Sequence, residues 1–138
     1  VTGNLFRSLN GRIERVDRID TTFAEMDMGR MRNVTVAANA FNNVDVAIEN
    51  PLRLTHAENS AAADWTVEPA PRLPFGGWAR AVESVIPRGP ITDASGAEVF
   101  ALPHVEVEAG PNRDLVRLGW PAPVQGAVTL LVRMDNEA

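Results

Sequence analysis

The stretch "LFRSLNGRIERVDRIDTTFAEM", Leu5 to Met26, decides how the front of this chain folds. Its apolar residues Leu5, Leu9, Ile13, Val16, Ile19, Phe23 and Met26 follow one another in steps of 4, 4, 3, 3, 4 and 3. A mean step of about 3.5 is the heptad period of a coiled coil. The positions between them hold Arg7, Arg12, Glu14, Arg15, Asp17, Arg18 and Asp20. Glu14 and Arg18 stand four apart in the order that favours a helical ion pair. The spacing predicts an α-helix from about Leu5 or Arg12 to Met28, with Asn10-Gly11 as an early break and Gly29 as the cap.

Such a helix spans about 36 Å at roughly 1.5 Å per residue, longer than a domain of this size needs to cross itself. An isolated helix of this length depends on packing for its stability. The expected cover is the same segment from other copies, with Leu9, Ile13, Val16, Ile19 and Phe23 as the oligomerisation seam. The mixture of β-branched and bulky residues on that seam suits three strands better than two, so a homotrimer is expected. The alternatives are a helix laid across its own sheet or against a different protein.

From Arg32 onward the texture changes to short alternating runs bounded by Pro, Gly, Asn and Asp, the mark of antiparallel strands. Candidates are Asn33–Ala38, Val44–Glu49, Leu52–Glu58, Trp65–Glu68, Trp78–Ile86, Glu98–Leu102, Val105–Ala109, Asp114–Trp120 and Ala127–Met134. Turn chemistry falls between them at Thr92–Gly96, Gly110–Asp114 and Pro121–Gly126. "ENSAAADW" reads as a helical turn or a loop. The expected fold is therefore mainly β: an N-terminal, coiled-coil-like α-helix in residues 1–31, then a small antiparallel β-sandwich in residues 32–138.

Composition narrows the function. The 138 residues carry a formal charge of −5, which argues against nucleic acid, whose affinity rests on clustered cations. There is no cysteine, hence no disulfide, no thiolate nucleophile and no sulfur-ligated metal, and two histidines make a His-rich metal site improbable. No apolar run approaches the roughly 18 residues of a membrane span. The front segment, charged throughout, reads as neither a signal peptide nor an anchor.

Individual polar residues offer little chemistry. His56 and His104 are the acid–base candidates, and Asp93, Ser95 and His104 can be recited as a triad. Ser95 lacks the Gly-x-Ser-x-Gly turn between strand and helix that exposes a nucleophile. Glu106 and Glu108 share one face of a strand in Val–Glu alternation, which is ordinarily a solvated face. No catalytic residue, cofactor or metal site is expected. Trp65, Trp78 and Trp120 raise a second possibility, because a Trp face on a sheet can stack on a sugar ring. Trp65 is the possible glycan contact in that reading, a carbohydrate-binding β-sandwich, while Trp78 and Trp120 are expected in the core.

"PFGGW" (Pro74 to Trp78), "LVRLGW" (Leu115 to Trp120) and the closing "GAVTLLVRM" (Gly126 to Met134) make the chain resemble small trimeric spike and fibre proteins of tailed bacteriophage virions. The resemblance implies a non-enzymatic structural component of a head, neck or tail, located in the virion. Its partners would be its own copies, other virion proteins and a host-surface glycan, with no membrane insertion.

Overall fold

The computed structural model describes residues 1–136, and no α-helix occurs among them. In chain order the strands are β1 (Leu5–Arg7), β2 (Ala40–Asn42), β3 (Leu52–Val67), β4 (Ala81–Pro87), β5 (His104–Ala109) and β6 (Leu115–Arg133). Short 3-10 turns occupy Met28–Arg30, Ala70–Arg72 and Pro74–Gly76.

The body is a four-stranded antiparallel sheet organised by β6. β6 pairs with β3 at both ends, from Leu52 opposite Val132 to Glu58 opposite Gly126 and from Asp64 opposite Gly119 to Val67 opposite Val116. On its other side the C-terminal half pairs with β4 and the N-terminal half with β5. β3 and β6 are both too long to stay regular. Their pairing slips between Glu58 and Ala62 and again between Ala62 and Asp64, for a net offset of one residue. A one-residue slip moves side chains to the other face. The inward residues of β3 accordingly change from Leu52 and Leu54 to Trp65 and Val67, while β6 keeps Val116, Leu118, Trp120, Val124, Val128, Leu130 and Val132 inward throughout. Pro121 and Pro123 lie in β6 where no residue of β3 stands in register, so their missing N–H groups cost the ladder nothing.

Side chains from both halves of the sheet enter one core. Trp65, Trp120, Leu73, Ile91 and Met134 fill it, and the Trp65 and Trp120 rings meet at 4.9 Å between centroids. The Trp65 indole donates to the carbonyls of Ala62 and Val124 at 3.1 and 3.3 Å, tying the ring to the irregular stretch. Gly126 has φ +144, and a Cβ there would stand 2.8 Å from Ile91 Cδ1. Glycine is what lets β6 pass so close to residues 90–91.

A buried network fastens residues 34–50 to the end of β6. Asp135 accepts from the Val34 N–H at 2.7 Å and from Asn50 Nδ2 at 2.8 Å, and Arg133 Nε reaches it at 3.2 Å. Asn50, followed by a cis peptide bond to Pro51, also accepts from the Met134 N–H at 2.9 Å. Burial alone would push the Asp135 carboxyl up. The donors from Asn50, Arg133 and Val34, with the Arg133 charge, outweigh it and hold the carboxyl below the ordinary aspartate range.

The architecture corrects the expectation in two respects. Residues 1–31 are not a helix, and the β part is one irregular four-stranded sheet plus a two-stranded parallel ribbon rather than two facing antiparallel sheets. The helix fails for local reasons. Ile13, Val16, Ile19, Thr21 and Thr22 each lose side-chain freedom in a helix, and Gly11 costs about 1 kcal/mol relative to Ala. Asp20 accepts from its own neighbour, the Thr22 N–H, at 2.9 Å, a turn that competes with helical bonding. Steps of four also leave Leu5, Leu9 and Ile13 on one side of an extended chain, so that part of the heptad signal fits strand as well as helix.

Other boundaries moved as well. Leu52–Glu58 and Trp65–Glu68 are ends of one strand that runs through "ENSAAADW", and Asp114–Trp120 joins Ala127–Met134 in the same way. Asn33–Ala38, Val44–Glu49 and Glu98–Leu102 contribute only isolated bridges.

Candidate assembly surface

The first seventeen residues form an extended arm. It runs parallel to residues 37–46, with Thr2 opposite Ala37, β1 opposite β2, and Ile13 opposite Val44. Backbone bonds hold the two together, among them Ala40 N–H to Asn4 O at 2.8 Å and Asp45 N–H to Ile13 O at 2.9 Å. The one ring contact in this ribbon is Phe6 stacked on Phe41, 5.3 Å between centroids. Two-stranded sheets are marginal in water, and parallel sheets occur almost entirely with both faces covered.

The arm ends in a polar latch. Arg15 and Asp17 pair through Nε and Oδ1 at 2.9 Å. Arg15 also donates to the carbonyls of Pro71 and of Leu73, the latter at 2.9 Å, and Asp17 accepts from the Phe75 N–H. Phe75 has φ +61, a left-handed backbone that a side chain disfavours. A carboxylate fixed on its N–H helps to hold that turn. Burial opposes ionisation of Asp17, and the Arg15 and Phe75 donors together with the Arg15 charge overcome it, so the carboxyl lies below its usual range.

The seam residues of the expected helix sit on this extended segment instead. Leu9 is 80% exposed, Ile13 41%, Ile19 44% and Phe23 95%, while Val16 is half-buried beside the latch. Leu5, at 64%, belongs to the same surface. The structure leaves Leu9, Ile13, Ile19 and Phe23 exposed along the arm and the residues that follow it, Val16 apart, and gives them no common helical face. A second exposed apolar patch, not singled out in the sequence, comprises Ile86, Phe100 and Leu102 beside a groove of about 490 Å³. The alternation of "EVFAL" pointed to a strand there, and that reading concealed it.

The tryptophans divide differently from expectation. Trp65, the possible glycan contact, is 0% exposed and cannot offer a ring face to a sugar. Trp120 is buried as expected, although its indole N–H has no partner. Trp78 is half-buried between the guanidinium groups of Arg113 and Arg80, at 4.8 and 5.7 Å from the ring centre.

The polar candidates are accounted for by local structure. Asp93 accepts from the Ser95 hydroxyl and from the N–H groups of Ser95 and Ala97, the pattern of a tight turn, and among the described residues no hydrogen bond joins it to His104. These bonds hold the Asp93 carboxyl below its usual range. Glu106 pairs with Arg117 at 3.1 Å and Glu108 with Arg80 at 3.3 Å, so the two carboxylates do not converge. His56 lies 3.0 Å from Glu58. Among the described residues no three His, Asp or Glu side chains cluster as metal ligands, and no helix is long and apolar enough to cross a membrane. No protein family, characterised protein or solved structure was found to match the chain.

Proposed function

We propose that this chain is a non-enzymatic structural subunit of a phage-like virion that assembles with its own copies through the N-terminal arm. The observation that carries self-assembly is the arm itself: a parallel ribbon uncovered on Leu5 and Leu9 and continued by the bare Phe23. Burying such side chains contributes about 1.5–3 kcal/mol each. That gain is unrealised in the single chain and available in an assembly. The virion setting and the number of copies, three, rest on the resemblance in Pro74–Trp78 and Leu115–Met134. Other virion proteins are the further partners in that setting.

Light scattering of the full chain against a chain beginning at Asp27 tests the reading. The mass of three chains is expected for the first and of one for the second. One chain in both would overturn self-assembly, and a multiple other than three would overturn the trimer alone. Recognition of a host glycan, the alternative reading, no longer has Trp65 as its platform and would need another surface.

A further inference from the structure

We infer that copies of this chain are joined by exchange of the arm, residues 1–17 of each copy occupying the ribbon and latch position on its neighbour. The inference rests on the assembly reading and specifies its geometry.

Three observations converge on it. Residues 18–25, which connect the arm to the body, are all exposed. The hydrogen bonds there are local: Arg18 to Glu14, and Thr22 to Asp20. None of these hydrogen bonds reaches the body, and the connection meets it where Ile19 and Thr21 border the groove at Phe75 and Gly76. On either side the chain is anchored, by Arg15 and Asp17 on the turns at residues 71–75, and at Met28 by the Arg80 guanidinium, which donates to its carbonyl at 2.9 Å. The connecting eight residues reach about 26 Å at roughly 3.3 Å each. That span exceeds the radius of gyration of about 14 Å for a compact chain of 138 residues, so it reaches a copy whose latch faces the connection.

The docking site needs no invention, because the contacts of the arm with residues 35–46 and 71–75 already define its occupant. An exchanged arm makes the same backbone bonds and the same Arg15–Asp17 latch as a closed one, so exchange sacrifices none of them. It also draws two bodies together around the bare connection carrying Ile19 and Phe23, which the closed form leaves in water. The polar character of the arm's contacts suits this role. Hydrogen bonds and an ion pair fix register, while the apolar side chains remain free for the neighbour.

The chain has no cysteine, so an engineered pair reports on the exchange directly. Phe6→Cys with Phe41→Cys places thiols at register partners in the ribbon, and Leu5→Cys with Ala40→Cys is a second pair that spares the ring contact. Both full-length variants are sized by light scattering, oxidised, and run in denaturant without reductant. Exchange predicts covalent multimers as the main product, returning to single chains with reductant. An assembly by light scattering whose oxidised chains migrate as internally cross-linked monomers would overturn exchange and leave self-assembly standing. Single chains in light scattering would overturn both. Failure of either pair to oxidise in an assembled protein would remove the ribbon register on which the exchange depends.

Discussion

The arm and the sheet hold together by opposite means. Residues 52–134 bury Trp65, Leu118, Leu130, Val132 and Met134 completely, around two long antiparallel strands. Residues 1–17 and 37–46 make a ribbon with backbone bonds, one stacked ring pair and a salt-bridged latch, and leave Leu5, Leu9 and Ile13 outside. Apolar burial is the dominant favourable contribution to folding, whereas a net hydrogen bond contributes about 0.5–1.5 kcal/mol. Apolar burial therefore carries the sheet, while the arm's ordering draws on whatever covers it.

The largest effect that could break this contrast comes from truncating one apolar residue in each region. Trp65→Ala removes a fully buried ring and its two hydrogen bonds, and should cost about 3–5 kcal/mol in urea unfolding followed by tryptophan fluorescence. Leu9→Ala should change the same unfolding by no more than about 0.5 kcal/mol at concentrations where the chain is monomeric. Comparable losses at the two positions would mean that the arm is part of the core.

Next in size is the buried network. Asp135→Asn removes the charge that faces Arg133 and replaces an acceptor of Val34 or Asn50 by a donor. A cost of about 1–3 kcal/mol is expected, from polar groups left short of a partner in a buried site. Asp17→Asn, in the arm, should leave the unfolding of the sheet unchanged. It should instead shorten the survival of residues 1–17 in amide exchange. Two aspartates with similar donors then serve different units.

Acid should separate them too. Asp135 and Asp17 both ionise in the folded protein at lower pH than the roughly 3.9 of a free aspartate. Their contributions are therefore complete above that value, and are lost as pH falls through the lower folded values. Below about pH 4 the sheet should weaken, and Asp135→Asn should flatten that acid limb in fluorescence. In the same measurement Asp17→Asn should reproduce the parent curve. A flattened limb in both would show that the latch and the network titrate as one unit.

How legible this was in the sequence follows the same division. Antiparallel pairing could be read from the alternation in Val105–Ala109 and Ala127–Met134, because period-two patterning is imposed by a face that must be buried. The length of β3 could not, since the slip between Glu58 and Asp64 interrupts the alternation and hides "ENSAAADW" as a loop. Trp120 reads as core because it closes a strand-like run that holds Val116 and Leu118. Trp65, expected as the exposed ring, is turned inward by the shifted register, while Trp78, expected in the core, is half-buried. The arm was misread most, and for a physical reason. Most of its apolar residues face no interior, so their spacing alone does not separate a helical stripe from an extended one, and the choice falls to the β-branched residues, Gly11 and the Asp20–Thr22 turn. Leu9 and Phe23 are exposed in the single chain, although the heptad argument that singled them out does not hold for an extended segment.

The smallest effect expected is at the boundary between arm and connection. Arg18 Nη2 approaches Glu14 Oε2 at 2.6 Å, with side chains 74% and 63% exposed. An exposed pair of this kind contributes little, because water screens it and two long side chains must be ordered to form it. Arg18→Ala should therefore shift neither sheet unfolding nor arm protection by more than about 0.5 kcal/mol. The same pair was a reason to expect a helix, where a four-residue spacing supports each turn. In the extended chain it survives without a helix, since both groups are long enough to meet across a local bend. A clear loss of arm protection on Arg18→Ala would show that the connection is held rather than free, and would move the pivot of the arm to the residues after Asp20.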